Sequence, residues 1–410
     1  MTAKMANTWY WRCGLPAIIV FMDLLFIAYY FDSPFLGGKL LQRAFQRPQK
    51  QVKRFLKKSL PHPHKYFDKD CYYYDDFKAR FICEGPYFNF TRDRIFDCAW
   101  RLWNTTRDSN KVDPWQNKTA NANVSYSEVA KRPAIHIMLV GDSHMRYIFE
   151  VFVKRIANPH IKYRIASFEK DQWEDVHVMM SQKHENIHED YHEVIHLGVP
   201  LRITYKWNAF LEDLPSSLES WIAGKEPRPT FLLFGTALHF MRETEEVYRA
   251  FGAERASEKY ANQLKVLAPL VKEFAKTTLS VFKLLDHLQR HPRNIIANND
   301  NIDFYNDIAR ETLGGNHLEL WDSAQPLSDL YNTECQKYDR NTPETEMWIC
   351  RDKRHIGYIM IEQYLNMYLN AICNKKSTEA LCTESNSVSA VFDEEYISQP
   401  YAALGPINVL

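Results

Sequence analysis

The feature that most constrains the fold is a strand-like run that leads into a Gly-Asp-Ser turn. Residues 135–140 are mostly apolar, and Gly141, Asp142 and Ser143 follow them directly, before a helical pattern that starts at residue 145. In α/β sheets, a turn from a buried strand into a helix is where reactive groups are placed. Ser143 is therefore predicted at a helix N-terminus. It is either a nucleophile, if a base reaches it, or part of a helix cap.

The rest of residues 131–373 alternates between strand-like and helix-like patterns. Such alternation is typical of a mostly parallel sheet covered by helices on both faces. The predicted strands are 135–140, 163–168, 193–197, 201–206, 230–235, 279–285 and 317–321. The predicted helices are 145–157, 240–252, 256–276, 301–313 and 356–372. The predicted fold class is α/β.

A second short motif lies just before the last predicted helix. Asp352 and His355 are three residues apart, so on a turn that leads into a helix they can project together. A carboxylate beside an imidazole supplies the base and its orienting partner in a serine triad. The alternative is that Asp352 caps the helix and His355 lies on the surface.

Together, the Gly-Asp-Ser turn after an early strand and the Asp-x-x-His before the last helix resemble the SGNH/GDSL hydrolase superfamily. The block from Gly141 to Arg146 more closely resembles the PC-esterase branch, which includes the trichome-birefringence-like polysaccharide O-acetyltransferases and the sialate O-acetyltransferase. The resemblance covers about residues 131–373 and implies an SGNH-like three-layer α/β/α sandwich. It also implies that Ser143 attacks an acyl carbonyl, His355 takes its proton and Asp352 holds the imidazole.

The resemblance further implies hydrogen-bond donors for the oxyanion: the Ser143 backbone N–H and a glycine N–H, for which Gly198 is the candidate. The Gly-x-Asn-Asp block of the superfamily is replaced here by Gly235-Thr-Ala-Leu-His239. Gly235 and His239 are therefore assigned to the oxyanion or substrate pocket, although His239 can equally be a packed histidine. Arg146, one turn beyond Ser143, either binds an anionic donor or acceptor or forms a structural ion pair.

The N-terminal region predicts a membrane protein of the secretory pathway. Residues 1–13 are assigned to a cytoplasmic tail, 14–31 to a transmembrane signal anchor and 32–65 to a basic stem. A cleaved signal peptide is the alternative to the anchor, and an amphipathic helix on lipid headgroups is the alternative to the stem. The positive-inside rule alone would place the body in the cytosol, because most basic residues follow the span.

Sequons and cysteines favour the lumen instead. Seven of the eight cysteines follow the span, as expected in an oxidising compartment. Four N-glycosylation sequons also follow it, at Asn89, Asn104, Asn117 and Asn123. The prediction is a single-pass type II membrane protein of the secretory pathway, assigned to the Golgi, with a lumenal catalytic domain.

Three further assignments concern the cysteines and the remaining segments. Residues 66–130 are predicted to be a disulfide-pinned, glycosylated subregion with short strands, and 374–410 a peripheral tail. A disulfide between Cys335 and Cys350 would hold the segment that carries Asp352, although connectivity does not follow from sequence. Because seven is odd, three disulfides would leave one cysteine over.

Metal and nucleic-acid chemistry are not favoured. His-Glu-x-x-His occurs at 184–188 and 192–196, a spacing that binds zinc on a helix. The first copy is followed by an acidic residue and the second runs into a strand-like segment, so no metal site is predicted. Lysine plus arginine equals aspartate plus glutamate at 51 each, which gives no reason to expect a nucleic-acid partner.

The resulting functional prediction is a lumenal serine acyltransferase that O-acetylates a glycan through an acyl-Ser143 intermediate. No bound cofactor is expected, and acetyl-CoA or another acyl donor would be the co-substrate. The preference for transfer rests on the membrane-anchored relatives in the PC-esterase branch. One alternative is a carbohydrate or lipid esterase with the same triad. Another is a non-catalytic glycan-binding or scaffold protein on an SGNH fold.

Overall fold

The computed structural model describes residues 65–75, 78–107, 113–115, 125–166, 173–177, 191–289, 295–315, 317–338, 343 and 345–374. The predicted cytoplasmic tail and transmembrane anchor lie outside these residues, as do the stem before Lys65 and the tail after Asn374. Within the described ranges, no helix is both long and apolar enough to span a bilayer.

The described residues form an α/β fold around an eight-stranded sheet, with a separate two-stranded hairpin. The strands are β1 (Tyr72–Asp75), β2 (Lys78–Phe81), β3 (Ile135–Gly141), β4 (Ile161–Ala166), β5 (Glu174–Asp175), β6 (Tyr191–His196), β7 (Leu201–Trp207), β8 (Phe231–Gly235), β9 (Leu279–Lys283) and β10 (Glu319–Trp321). The order in the large sheet is β10-β9-β8-β3-β7-β6-β4-β5.

Helices precede, connect and follow these strands. They are α1 (Arg92–Thr106), α2 (Tyr126–Lys131), α3 (Ser143–Ile156), α4 (Leu214–Ile222), α5 (Leu238–Glu243), α6 (Glu245–Ala275), α7 (Asn299–Leu313), α8 (Gln325–Cys335) and α9 (Tyr358–Cys373). Helix α6 is interrupted at Gly252, whose φ of 83° is not helical.

The prediction of a mostly parallel central sheet is confirmed. β10, β9, β8, β3 and β7 run parallel to one another. β6 is antiparallel to both β7 and β4. β6 and β7 are antiparallel because only the short loop from Leu197 to Pro200 joins them, whereas a parallel pair needs a crossover of a dozen or more residues.

Both faces of the sheet are buried. Along β3, Ile137 and Leu139 pack into one apolar cluster, which includes residues of α3 and α9. Met138 and Val140 pack into a second cluster, with residues of α4, α6 and α7. A strand buried on both faces reads as a continuous apolar run, which is why β3 is so clear in the sequence.

The described part of residues 66–130 contains two short strands, the hairpin β1–β2. It also contains the 15-residue helix α1, with Thr91 as its N-cap, which was not predicted. Tyr66 and Phe67 pack into the same apolar cluster as β3 and α3. The aromatic residues of this region therefore serve in part as core packing. Helices α4 and α8, each of which begins with a proline in its first turn, were not predicted either.

Three disulfides connect six of the cysteines. Cys335–Cys350 is present, as predicted. Cys71–Cys83 closes the β1–β2 hairpin, and Cys98–Cys373 joins α1 to α9. The seventh cysteine beyond the predicted span, Cys382, lies outside the described residues.

Candidate active site

The turn after β3 requires a glycine. Gly141 has a φ of 151°, and a Cβ built there would lie 2.2 Å from the carbonyl oxygen of Gly235. Gly141 pairs with Trp207 of β7 on one side and with Gly235 of β8 on the other. The candidate nucleophile thus begins at the carboxyl edge of the sheet, between two neighbouring parallel strands.

Asp142 caps helix α3, and Ser143 is the first residue of that helix. The Asp142 carboxylate accepts a hydrogen bond from the His144 backbone N–H at 3.0 Å, and the Asp142 carbonyl accepts one from Met145 at 3.1 Å. Of the two roles predicted for this turn, helix capping is therefore performed by Asp142 and not by Ser143. The Ser143 N–H belongs to the first helical turn, whose N–H groups have no acceptor within the helix, and the helix dipole places partial positive charge there.

Ser143, His355 and Asp352 come together although more than 200 residues separate the first from the others. The Ser143 Oγ lies 2.7 Å from the His355 Nε2. On the other side of the ring, the His355 Nδ1 lies 2.6 Å from the Asp352 Oδ2. With the proton on Nδ1, donated to the carboxylate, the Nε2 lone pair faces the serine hydroxyl.

The Asp352 carboxylate is held in its charged form. Burial raises the pKa of this carboxyl, but hydrogen bonds from the His355 ring and from the backbone N–H groups of Arg354 and His355 outweigh burial and lower the pKa below its usual value. The two backbone N–H groups donate to Oδ1 at 2.9 and 3.3 Å, which leaves Oδ2 for the ring. The carboxylate is therefore both ionised and oriented at neutral pH.

The segment before α9 that carries Asp352 and His355 is held from several sides. The disulfide Cys335–Cys350 anchors its start to α8. The Lys353 ammonium donates to the Gln289 side chain at 2.6 Å and to the Cys350 carbonyl at 2.8 Å. The His355 ring lies 4.9 Å from the Tyr147 ring of α3. These contacts hold the imidazole over the N-terminus of α3.

Gly198 does not reach this site, so its predicted oxyanion role is corrected. It follows β6, which runs antiparallel to β7, and therefore lies at the edge where β7 and β3 begin. Ser143 lies at the opposite edge, where β3 ends. The Gly198 N–H also donates to the His196 Nδ1 at 2.9 Å. Sequence order suggested a strand end at Gly198, but only strand direction decides which edge that end occupies.

Gly235, His239 and Arg146 lie at the same edge as Ser143. Gly235 ends β8 beside Gly141. The His239 ring lies 5.4 Å from the ring of Trp207, the residue paired with Gly141. The Arg146 Nε lies 3.2 Å from the Glu150 carboxylate, so the ion-pair alternative describes this side chain.

The remaining predicted sites fall partly outside the described residues. Asn89 and Asn104 are exposed, whereas Asn117 and Asn123 are not described. The second His-Glu-x-x-His lies in β6. On a strand, residues four apart are separated by roughly 13 Å, so His192 and His196 do not converge as they would on a helix. The first copy is not described.

Sequence reasoning missed a group of buried polar residues under the Gly141–Ser143 turn. His144 and Lys283 expose 5% and 3% of their surface, and Asp286 exposes 1%. One signal was available, since Lys283 and Asp286 stand at the end of a predicted buried strand, where charged residues are unusual. Nothing local in the sequence connects them to His144.

No family model matches the chain. Among solved structures, LAE5, an alpha/beta hydrolase enzyme from the metagenome of Lake Arreo, Spain, is 13% identical with a TM-score of 0.32, over 60% of this chain and 97% of that chain. Axe2, an acetylxylan esterase from Geobacillus stearothermophilus, is 11% identical with a TM-score of 0.33, over 58% of this chain and 94% of that chain. Similarity at this level does not assign the chain to a family.

Proposed function

We propose that this protein is a serine-dependent acyl-transfer enzyme that forms an acyl-Ser143 intermediate and O-acetylates a glycan hydroxyl. One observation carries the proposal: the hydrogen bonds that join Ser143 to His355 at 2.7 Å and His355 to Asp352 at 2.6 Å. A nucleophile within reach of a base that a third group orients is the arrangement that covalent acyl transfer requires.

In the acylation step, the Ser143 Oγ attacks the carbonyl carbon of the acyl donor. Its proton passes to the His355 Nε2 as the new C–O bond forms, and the carbonyl electron pair moves onto oxygen. The Asp352 carboxylate stabilises the resulting imidazolium. When the tetrahedral intermediate collapses, the bond to the leaving group breaks, and His355 returns the proton to that group.

The Ser143 backbone N–H is the donor proposed for the oxyanion. It lies at the positive end of α3, where negative charge is stabilised. The pocket assignment of Gly235 and His239 remains part of the proposal, supported by their position at the same edge of the sheet.

The deacylation step decides between transfer and hydrolysis. His355 takes a proton from the acceptor hydroxyl, whose oxygen attacks the acyl-Ser143 carbonyl. When this second tetrahedral intermediate collapses, the bond between the acyl carbon and the Ser143 Oγ breaks, and His355 returns the proton to the Ser143 Oγ. If the acceptor is a sugar, the product is an O-acetylated glycan; if it is water, the enzyme is an esterase. The preference for a sugar acceptor, and for acetyl-CoA or another acyl donor, rests on the resemblance to the PC-esterase branch.

The test uses purified full-length protein with a chromogenic acetyl ester and, separately, with acetyl-CoA and mixed glycans. Ser143→Ala and His355→Ala are expected to lower kcat for either substrate by about 10⁴-fold or more, because each removes a reacting group. Ser216→Ala, an exposed serine of α4, is the matched control and should leave kcat unchanged.

The products separate the alternatives. Acetylated glycan that depends on Ser143 supports the transferase. Brisk ester hydrolysis without any transfer makes the protein an esterase. If neither reaction depends on Ser143, and the alanine variants retain function in cells, the protein is a non-catalytic binding or scaffold protein.

A lumenal location is part of the proposal and is supported by three disulfides, which persist in oxidising compartments. The exposed positions of Asn89 and Asn104 are compatible with glycan attachment. In cells, endoglycosidase treatment should reduce the apparent mass of the protein. No change in mass, with all four sequons intact, would contradict the lumenal location.

A further inference from the structure

Lys283, Asp286 and His144, which we call the Lys283 cluster, lie beneath the Gly141–Ser143 turn. Lys283 ends β9, Asp286 follows it after three residues, and His144 is the second residue of α3. None of the three exposes more than 5% of its surface. Burial of ionisable groups is costly unless they pair and hydrogen-bond, so the contacts of this cluster need a physical explanation.

The contacts run from the last helix to the nucleophile turn. The Lys283 Nζ lies 2.6 Å from the Asp286 Oδ1, and the Tyr364 hydroxyl of α9 donates to the same oxygen at 3.1 Å. The second carboxylate oxygen, Oδ2, lies 3.5 Å from the His144 Nδ1. Burial raises the pKa of Asp286, but Lys283 and His144 outweigh burial and hold the pKa below its usual value.

Three buried polar atoms here have no hydrogen-bond partner among the described residues: the His144 Nε2, the Asp142 Oδ2 and the Asp286 Oδ2, which lies 3.5 Å from the His144 Nδ1. The first two belong to residues of the nucleophile turn and are fully shielded from solvent. A buried polar atom without a partner loses its hydrogen bonds to water and gains none in the protein. Such atoms are therefore rare unless a small ligand such as water forms a hydrogen bond with them. Asp142 and His144 both line one small cavity, which Lys283, Thr236 and Gly235 also line.

The size of this cavity fits one water molecule. The space available to the centre of a water molecule is about 10 Å³, close to the minimum for one water. A buried water needs two to four polar partners, and a water can both donate to the Asp142 carboxylate and bond to the His144 ring.

We propose that one water molecule binds in this cavity between the Asp142 Oδ2 and the His144 Nε2, and that the Lys283 cluster, through this water, positions the Gly141–Ser143 turn. His144 and Asp286 are then positioning residues of the candidate active site. The kinetic part of this inference rests on the proposed function; the water site does not.

The geometry explains why this support matters for Ser143. One Asp142 oxygen caps α3 through the His144 N–H, so the water would hold the other oxygen of the same carboxylate. With both oxygens held, the turn that leads from Gly141 into Ser143 has little freedom. The centroid of the His144 ring also lies 5.4 Å from that of the His355 ring. Loss of the His144 ring therefore allows the catalytic base His355 to shift as well. A misplacement of about 1 Å can cost about 10²-fold in rate.

The test compares two variants of His144 with a matched histidine. His144→Leu removes both ring nitrogens, and His144→Gln keeps a polar group that can bond to Asp286 or to the water. His136→Leu is the control, because His136 lies near the start of β3 and bonds to Thr204 at 3.0 Å, away from the carboxyl edge. For each variant, kcat and KM are measured with the chromogenic ester, and stability is measured by thermal unfolding.

We expect His144→Leu to lower kcat by about 10²-fold with KM unchanged, His144→Gln to recover most of kcat, and His136→Leu to lose stability without losing kcat. A merely structural role predicts instead that kcat follows stability alike in His144→Leu and His136→Leu. If His144→Leu does not fold, a crystal structure of His144→Gln decides: a water in the cavity beside full kcat supports the positioning role, and full kcat without a water in the cavity overturns it.

A high-resolution experimental structure of the wild-type protein provides a measurement that does not depend on activity. Density for one water within hydrogen-bond distance of the Asp142 Oδ2 and the His144 Nε2 supports the site, and a direct bond between the two side chains overturns it. If the wild type shows no Ser143-dependent activity, the proposed function fails while this structural result still decides the water site.

Discussion

Gly141 is the residue whose backbone conformation places the candidate nucleophile. Its φ of 151° belongs to a region that side chains with a Cβ rarely adopt. The Gly235 carbonyl oxygen occupies the space where a Cβ would lie. Conformation and close approach thus require glycine independently at this position.

We expect Gly141→Ala to destabilise the protein by about 3 kcal/mol or more, because it adds backbone strain to a clash with the backbone of β8. Gly224→Ala is the matched control. Gly224 also has a positive φ, of 67°, but nothing lies within 4 Å of the position that its Cβ would take, so only the conformational cost of about 1–2 kcal/mol should appear. Urea unfolding measures both; equal losses would show that the contact with Gly235 is unimportant.

At the scale of elements, the segment between α8 and α9 decides whether the base reaches the serine. It lacks regular secondary structure over Asp352 and His355, so it depends on the disulfide at Cys350 and on the Lys353 contacts for its conformation. Helices α3 and α9 contact it from the other side, through the Tyr147 ring against His355 and through the Tyr358 N–H, which donates to the Glu346 carbonyl at 3.0 Å.

Replacement of Cys335 and Cys350 by alanine is expected to cost about 3 kcal/mol, because the disulfide closes a loop of 15 residues. It should also lower kcat, since the freed segment carries Asp352 and His355. The matched control removes Cys71–Cys83, whose sequence separation of 12 predicts a similar loss of stability without an effect on kcat. Urea unfolding and ester kinetics on both double variants decide; equal kcat values would contradict the anchoring role.

At the scale of the whole molecule, residues far apart in the sequence form contacts that join the helices to one another and to the loops at the edge of the sheet. Cys98–Cys373 links the first and last of the described helices across 275 residues. His287, in the loop after β9, lies 3.0 Å from Asp303 of α7 and 2.6 Å from Asp329 of α8. Burial lowers the pKa of His287, but the hydrogen bonds to both carboxylates outweigh burial and raise the pKa to about 9.

This histidine makes stability depend on pH in the alkaline range. The folded-state pKa of about 9 lies above the unfolded value of about 6.5, so the folded state binds more protons between these values. The stabilisation is fully present below about pH 6.5 and is lost as the pH rises through about 9. The Tm difference between wild type and His287→Gln should therefore shrink from about pH 6.5 to about pH 9.5. A constant difference across that range would contradict the assignment.

Much of the fold was predictable because local pattern and burial agree. β3, β7, β8 and α7 were predicted to within about two residues, since strands buried on both faces are continuous apolar runs and α7 is amphipathic. Helix α1 was missed although its buried residues Ile95, Cys98, Ala99 and Trp103 follow a helical spacing, because its cysteine and aromatic residues were interpreted as part of a disulfide-rich region of short strands. The candidate site was predictable where single motifs carry it, at Ser143, Asp352 and His355, and was wrong at Gly198, which depended on strand direction.

The sequence by itself determined the strand, turn and helix around Ser143, the Asp-x-x-His spacing and the α/β class, because these depend on the conformational preferences and apolar spacing of neighbouring residues. Only the tertiary structure decided that His355 lies 2.7 Å from Ser143, that Gly198 lies at the far edge and that Lys283 and Asp286 lie beneath the nucleophile turn. These facts depend on strand order and direction, which arise from packing between residues far apart in the chain.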